Sequence, residues 1–207
     1  MIGQPAVATP RLRRLAWWLT GATIGWNVLE AIVAIASGVI ASSIALIGFG
    51  LDSSVEVSSA LVIAWLLSHP PSEATERVER RAVRLIAFCF FVLALYLVLD
   101  AMARLLGVGL EPEESVPGLV LTALSLIVMP SLAWAKRRVA RAMGSVSLKA
   151  DSNQTLLCAY LSAIVFVGLG ANALAGWWWM DPLAALGVAA IAVREGWTAW
   201  RSGDLCC

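Results

Sequence analysis

Two acidic residues, Asp52 and Glu56, stand four apart inside a long apolar run at 42–67, SSIALIGFGLDSSVEVSSALVIAWLL. A run of that length can cross a bilayer as a helix, and the i,i+4 spacing puts both carboxylates on one face, about a turn apart. A charge at mid-bilayer depth costs about 2.5 to 3.5 kcal/mol on insertion scales, so such groups face a bundle interior or a cavity. Left alone the two would repel each other, and a positive charge between them removes that repulsion. The pair predicts a cation site whose oxygens suit a divalent ion and can also carry protons.

A second pair repeats the spacing. From Ala45 the chain reads ALIGFGLDSSVE and from Ser147 it reads SLKADSNQTLLC. With Leu46 set against Leu148, Asp52 falls on Gln154 and Glu56 on Cys158. Repeated helices that bring polar groups to mid-membrane are characteristic of secondary transporters. Gln154 offers a carbonyl oxygen, whereas a Cys158 thiolate would favour a softer ion such as zinc. Glu30, inside the first apolar segment, needs a partner or a proton and is a proton-coupling or vestibule candidate; its bland reading is an interior hydrogen-bonding residue. Asp151 is read either as an entry or supporting residue of the site or as the N-cap of the fifth helix. Asp100 is expected to snorkel or to pair with Arg104, and Asn27 to hydrogen-bond between helices.

These residues must be positioned by membrane helices. The chain has 207 residues, of which 60% are hydrophobic and 14% charged, against about 25% charged in soluble domains. Six apolar segments, at about 15–40, 42–67, 83–106, 117–135, 153–174 and 182–200, each approach or exceed the length of roughly twenty residues a span needs. They are too long and continuous for barrel strands. The fold class is therefore an all-α membrane protein: a cytoplasmic segment at 1–14, a six-helix transmembrane domain at 15–200 and a short cytoplasmic tail at 201–207.

Loop charges orient it. Arg11, Arg13 and Arg14 precede the first segment, Arg77, Arg80, Arg81 and Arg84 separate the second from the third, and Lys136, Arg137, Arg138, Arg141 and Lys149 fill the fourth link. The positive-inside rule places both termini in the cytoplasm of a plasma-membrane protein. The charged alternation Glu73, Glu76, Arg77, Glu79, Arg80 reads as a solvated face of a loop opening into an amphipathic turn. Trp177, Trp178 and Trp179 read as an aromatic belt at the outer turn, and Asp181-Pro182 as the N-cap and first residue of the sixth helix. Gly48, Gly50, Ser42, Ser43 and Ser53 should let neighbours approach the second helix closely, with Gly168, Gly170 and Gly187 doing so for the fifth and sixth.

Several functions are excluded. The net charge of +1 suggests no nucleic-acid partner. The single histidine, His69, has no catalytic companions, and nucleotide and metalloprotease motifs are missing, so the chain is not read as an enzyme and no prosthetic group is expected. Four cysteines make no disulfide framework: Cys89 and Cys158 sit in apolar runs, and Cys206 and Cys207 read as a frayed end with at most weak metal binding. No cleaved signal peptide is read at the start.

The stretch SSIALIGFGLDSSVEVSSALVIAW resembles the second transmembrane helix of the cation diffusion facilitator family, LKADSNQTLLCAY its fifth and DPLAALGVAAIAVREGWTAW its sixth. The resemblance runs from about Arg14 to Trp200. It implies a six-helix, usually homodimeric exporter of zinc or a related divalent ion, with manganese, iron, cobalt and cadmium as further candidates, commonly exchanged for protons. It also implies a metal site of Asp52, Glu56, Gln154 and Cys158, where the family normally has histidine or aspartate first and aspartate second in each pair. Here Gln154 and Cys158 replace the usual His/Asp pair, and the cytoplasmic metal-binding domain that commonly follows the sixth helix is not expected. The alternative to a transporter is a non-transporting metal-binding or scaffold membrane protein.

Overall fold

In lipid the backbone has no water to bond, so apolar segments must satisfy their own amides as helices. The computed structural model describes residues 10–68 and 73–202 and contains six: α1 (Pro10–Ile40), α2 (Ile44–Ser68), α3 (Glu73–Leu105), α4 (Val116–Met143), α5 (Val146–Ala175) and α6 (Met180–Ser202). His69 and the cysteines Cys206 and Cys207 lie outside the described residues. Five of the helices are long and apolar enough by themselves to cross a bilayer. α6 has 23 residues, a sufficient length, but carries Asp181, Arg194, Glu195 and Arg201.

The closest pairs are α1 with α2, α4 with α5, and α3 with α6. Contacts of α1 with α4 and of α2 with α5 close the first two pairs into a four-helix group, and the α3–α6 pair lies against α2 and α5. The usual amphipathic order is reversed in α1. Thr20, Thr23, Asn27, Glu30 and Ser37 are buried, whereas Trp18, Ile32, Val39 and Ile40 are exposed, as expected where lipid rather than water surrounds the bundle. An apolar core of Phe49, Leu97, Met129, Val165 and Val188 packs around this polar strip.

Two glycines on α2 set its approach to its neighbours. A Cβ on Gly48 would stand 2.7 Å from Leu97 of α3, and one on Gly50 would stand 3.0 Å from the backbone nitrogen of Ile35 in α1. Gly168 does the same against Ala184 of α6, whereas Gly170 meets nothing within 4 Å and plays no such part.

Three connections are sewn together at one end. Arg104 pairs with Asp100 at 3.3 Å, as its spacing predicts, and also donates to the carbonyls of Ser42 and Leu110. The Asn172 amide donates to the Pro112 carbonyl at 2.9 Å. The Asp181 carboxylate accepts from the Ser43 hydroxyl and from the Ile44 and Ala45 amides, at 2.9 and 3.4 Å for the two amides. Asp181 thus serves the N-terminus of α2 rather than capping α6, because α6 already begins at Met180 and the exposed amides of α2 are the available donors. In the α5–α6 turn Trp177 and Trp179 stack at 5.7 Å.

At the other end the helices run on past the apolar segments. α3 begins at Glu73, so the stretch expected as a loop before Val83 is largely its first turns; Arg77 and Arg80 there are exposed, and the side chains of Glu73, Glu76 and Glu79 lie outside the description. The basic link between α4 and α5 is almost entirely helical. Only Gly144, at φ 62, and the N-cap Ser145 separate the two helices, glycine supplying the left-handed residue that ends α4. Arg138 and Arg201 lie over Trp134 and Trp197, each 4.7 Å from the ring centroid.

Candidate cation site

The four-helix group encloses the acidic side chains that the sequence singles out. Asp52 and Glu56 are both buried on α2, and each lies within electrostatic reach of the other. Their face of the helix is polar because Ser53 and Ser59 flank them, with Ser59 and Glu56 turned to α5. Glu195 of α6 also acts on Asp52.

Cys158 comes from the middle of α5, 1% exposed. Its thiol lies 3.8 Å from Glu30 Oε2 and interacts with Glu56 and Asp52 as well. Three of the four residues of the expected α2/α5 site are therefore gathered in one buried region. Gln154 belongs to the same face of α5 but is engaged elsewhere: its carbonyl oxygen accepts from the Ser59 hydroxyl at 2.8 Å.

Glu30 enters from α1 between these groups. One oxygen accepts from the Trp26 indole at 2.8 Å and from the Ser125 hydroxyl of α4. The other accepts from Ser53 at 3.3 Å and faces the Cys158 thiol. A carboxylate completely withdrawn from solvent is thus held by donors from α1, α2, α4 and α5, and a third helix contributes an acid to the region of the α2/α5 pairs. Asn27, one turn before it, is also fully buried, yet neither of its amide atoms has a hydrogen-bond partner among the described residues. The interhelical bond expected of it is not formed.

Asp151 is not the N-cap of α5; Ser145 is, accepting from the Leu148 amide at 3.3 Å. Asp151 sits a turn and a half inside the helix, paired with Lys136 of α4 at 2.8 Å, and both side chains are 0% exposed. The tight Gly144–Ser145 turn brings the two to one level. Lys136 also donates to the Thr155 hydroxyl at 2.9 Å, and Thr155 donates to Glu56 Oε1 at 2.9 Å. The second oxygen of Glu56 is buried without a hydrogen-bond partner.

Lys136, Thr155, Ser125 and Glu195 were not among the residues chosen from sequence. Lys136 was hidden in the run Lys136-Arg137-Arg138, where one basic residue reads like its neighbours. Thr155 carried a usable signal, because it stands four after Asp151 and on its face of the helix.

Chemically, the region offers carboxylate oxygens from α1 and α2, a sulfur from α5 and an amide oxygen one turn away. Among the described residues no three histidine, cysteine, aspartate or glutamate side chains converge on one point at coordination distance. Glu30 is engaged by Ser53 and Ser125, and Gln154 by Ser59, so gathering donors on one ion would require rotamer changes that free those groups.

A bundle of six helices, five of them long and apolar enough to cross a bilayer, with acids and a thiol turned into its interior, is a multi-pass membrane protein. The chain belongs to the cation efflux family: the pattern described as the cation efflux transmembrane domain matches residues 22–203. That family consists of carriers of metal cations rather than enzymes. An uncharacterised transporter of Synechocystis sp. is 30% identical to it over 156 residues, which cover 72% of this chain and 50% of the relative. The chain spans about half the length of that curated relative.

Proposed function

We infer that this bundle exports a divalent metal cation, bound between α2 and α5. The observation that carries the reading is the burial of Asp52, Glu56 and Cys158, with Glu30 beside them, in the interior of a chain of this family. Asp52 and Glu56 supply hard oxygen donors and Cys158, as a thiolate, a soft one. Gln154 adds its carbonyl oxygen once it leaves Ser59. A mixed oxygen and sulfur set favours zinc, with cadmium, cobalt, iron and manganese as the ions to compare.

The cation enters from the cytoplasmic end, where the positive-inside rule puts both termini of a plasma-membrane protein. It leaves to the outer side when the helices rock about the site. Protonation of Asp52 and Glu56 would weaken their hold and favour release, which makes the cycle an exchange of cation for protons. Glu30 and Asp151 support the site, the first beside the thiol and the second through Lys136. The working unit is a homodimer held by membrane contacts.

Reconstituted vesicles test this directly. Zinc flux that disappears in Asp52→Ala and in Glu56→Ala is the expected result. Binding without flux in the intact protein would overturn transport and favour a metal-binding scaffold.

A further inference from the structure

The buried ion pair between Lys136 and Asp151 has more contacts than a packing device needs. α4 and α5 are already joined by a two-residue turn, by the Ser152 hydroxyl donating to the Ala133 carbonyl at 2.9 Å, and by Arg137 donating to Asn153 at 3.0 Å. A buried pair adds little to stability over apolar residues of similar size, because desolvating both charges costs nearly what their attraction returns. Yet the hydrogen bond that the Lys136 ammonium donates goes to Thr155, at 2.9 Å, its contact with Asp151 being an ion pair without one.

That bond has a direction. An ammonium can only donate, so Thr155 must accept from it and has its own proton left to give. Two acceptors are in range, Glu56 Oε1 at 2.9 Å and the Asp151 carbonyl at 3.0 Å. The carboxylate is the stronger acceptor. The chain Lys136–Thr155–Glu56 is therefore polarised one way, with the lysine charge strengthening the hydroxyl as a donor. One oxygen of Glu56 is tied back by this chain, and the other, also buried, is left without a hydrogen-bond partner.

We propose that Lys136 is a positioning residue which, acting through Thr155, holds Glu56 so that its second oxygen is presented to the cation. Asp151 is its fixed anchor, keeping the ammonium from swinging into the site to compete with the cargo. The inference rests on the reading of α2 and α5 as the cation site and extends it to α4, which contributes no ligand of its own.

The test uses the full chain in vesicles, with zinc and cadmium as probes. Thr155→Val removes the hydroxyl while leaving the Lys136–Asp151 pair in place. It should raise KM about ten-fold with kcat unchanged and only the modest fall in melting temperature that a lost buried hydrogen bond brings, and Thr155→Ser should restore KM. Removing both charges together, in Lys136→Met/Asp151→Leu, should raise KM to a similar extent. Adding Thr155→Val to that variant should then change nothing, because all three residues act through one chain. A wild-type KM in Thr155→Val, or effects that multiply when combined, would overturn the proposal. Should the charge-free variant fail to fold, the valine and serine variants decide alone. A wild-type protein that neither binds nor carries either ion would overturn the transport reading and this inference with it, an outcome distinct from normal transport with an indifferent Thr155.

Discussion

In the proposed site, Cys158 is the residue on which cargo choice would turn. It stands where the family resemblance leads one to expect an aspartate, and its sulfur faces Glu30 and Glu56 inside the bundle. Cys158→Asp should shift preference from zinc and cadmium toward manganese, measured as relative flux or as calorimetric affinity. Unchanged selectivity would remove Cys158 from the ligand set. Gln154 is a weaker partner, held at 2.8 Å by Ser59. Gln154→Ala is expected to raise KM only several-fold, far less than the loss in Glu56→Ala. Spacing made Asp52, Glu56, Gln154 and Cys158 visible as two i,i+4 pairs. It could not show that Glu30 comes to within 3.8 Å of Cys158, because no local pattern encodes which face of α1 meets α5.

Helices α2 and α4 each depend on one buried charge in a different way. The N-terminus of α2 rests on Asp181, which is buried and meets two amides and a hydroxyl. Asp181→Ala leaves those donors unpaired, and a loss of about 1 to 3 kcal/mol is expected by reversible melting in detergent. In the α4–α5 hairpin Lys136→Met strands Asp151 in the interior at a cost of about 3 to 5 kcal/mol, whereas Lys136→Met/Asp151→Leu should recover most of it. If the single and double variants melt alike, the pair is not desolvated as described. The apolar middle of each helix was legible from hydropathy. The extensions of α3 back to Glu73 and of α4 on to Met143 were not, since charged residues outside the apolar core read as loop whether or not they are helical.

For the whole molecule, exchange for protons has a direct signature. Acidifying the compartment into which the cation is delivered should accelerate flux, and a protonophore should abolish the acceleration; indifference to the gradient would leave the cation's own gradient as the driving force. Site-specific labelling at the two ends of the chain should find both on the cytoplasmic side. The packing of three pairs, α1–α2, α4–α5 and α3–α6, puts the acids in the four-helix group and leaves Leu85, Phe88, Leu95 and Leu99 of α3 exposed.

Local chemistry sufficed for the membrane, the six helices, the two polar pairs and the family resemblance. Lipid forces long apolar segments into helices, and a charge among them is conspicuous. Only the tertiary structure decided where individual polar groups finished. Lys136, one basic residue in a row of three, is fully buried against Asp151, while Arg138 turns back over Trp134. Asp181 leaves its own helix to serve another. In each case the helical rotation and the neighbour's face select the partner, and both are set by packing between segments far apart in the chain.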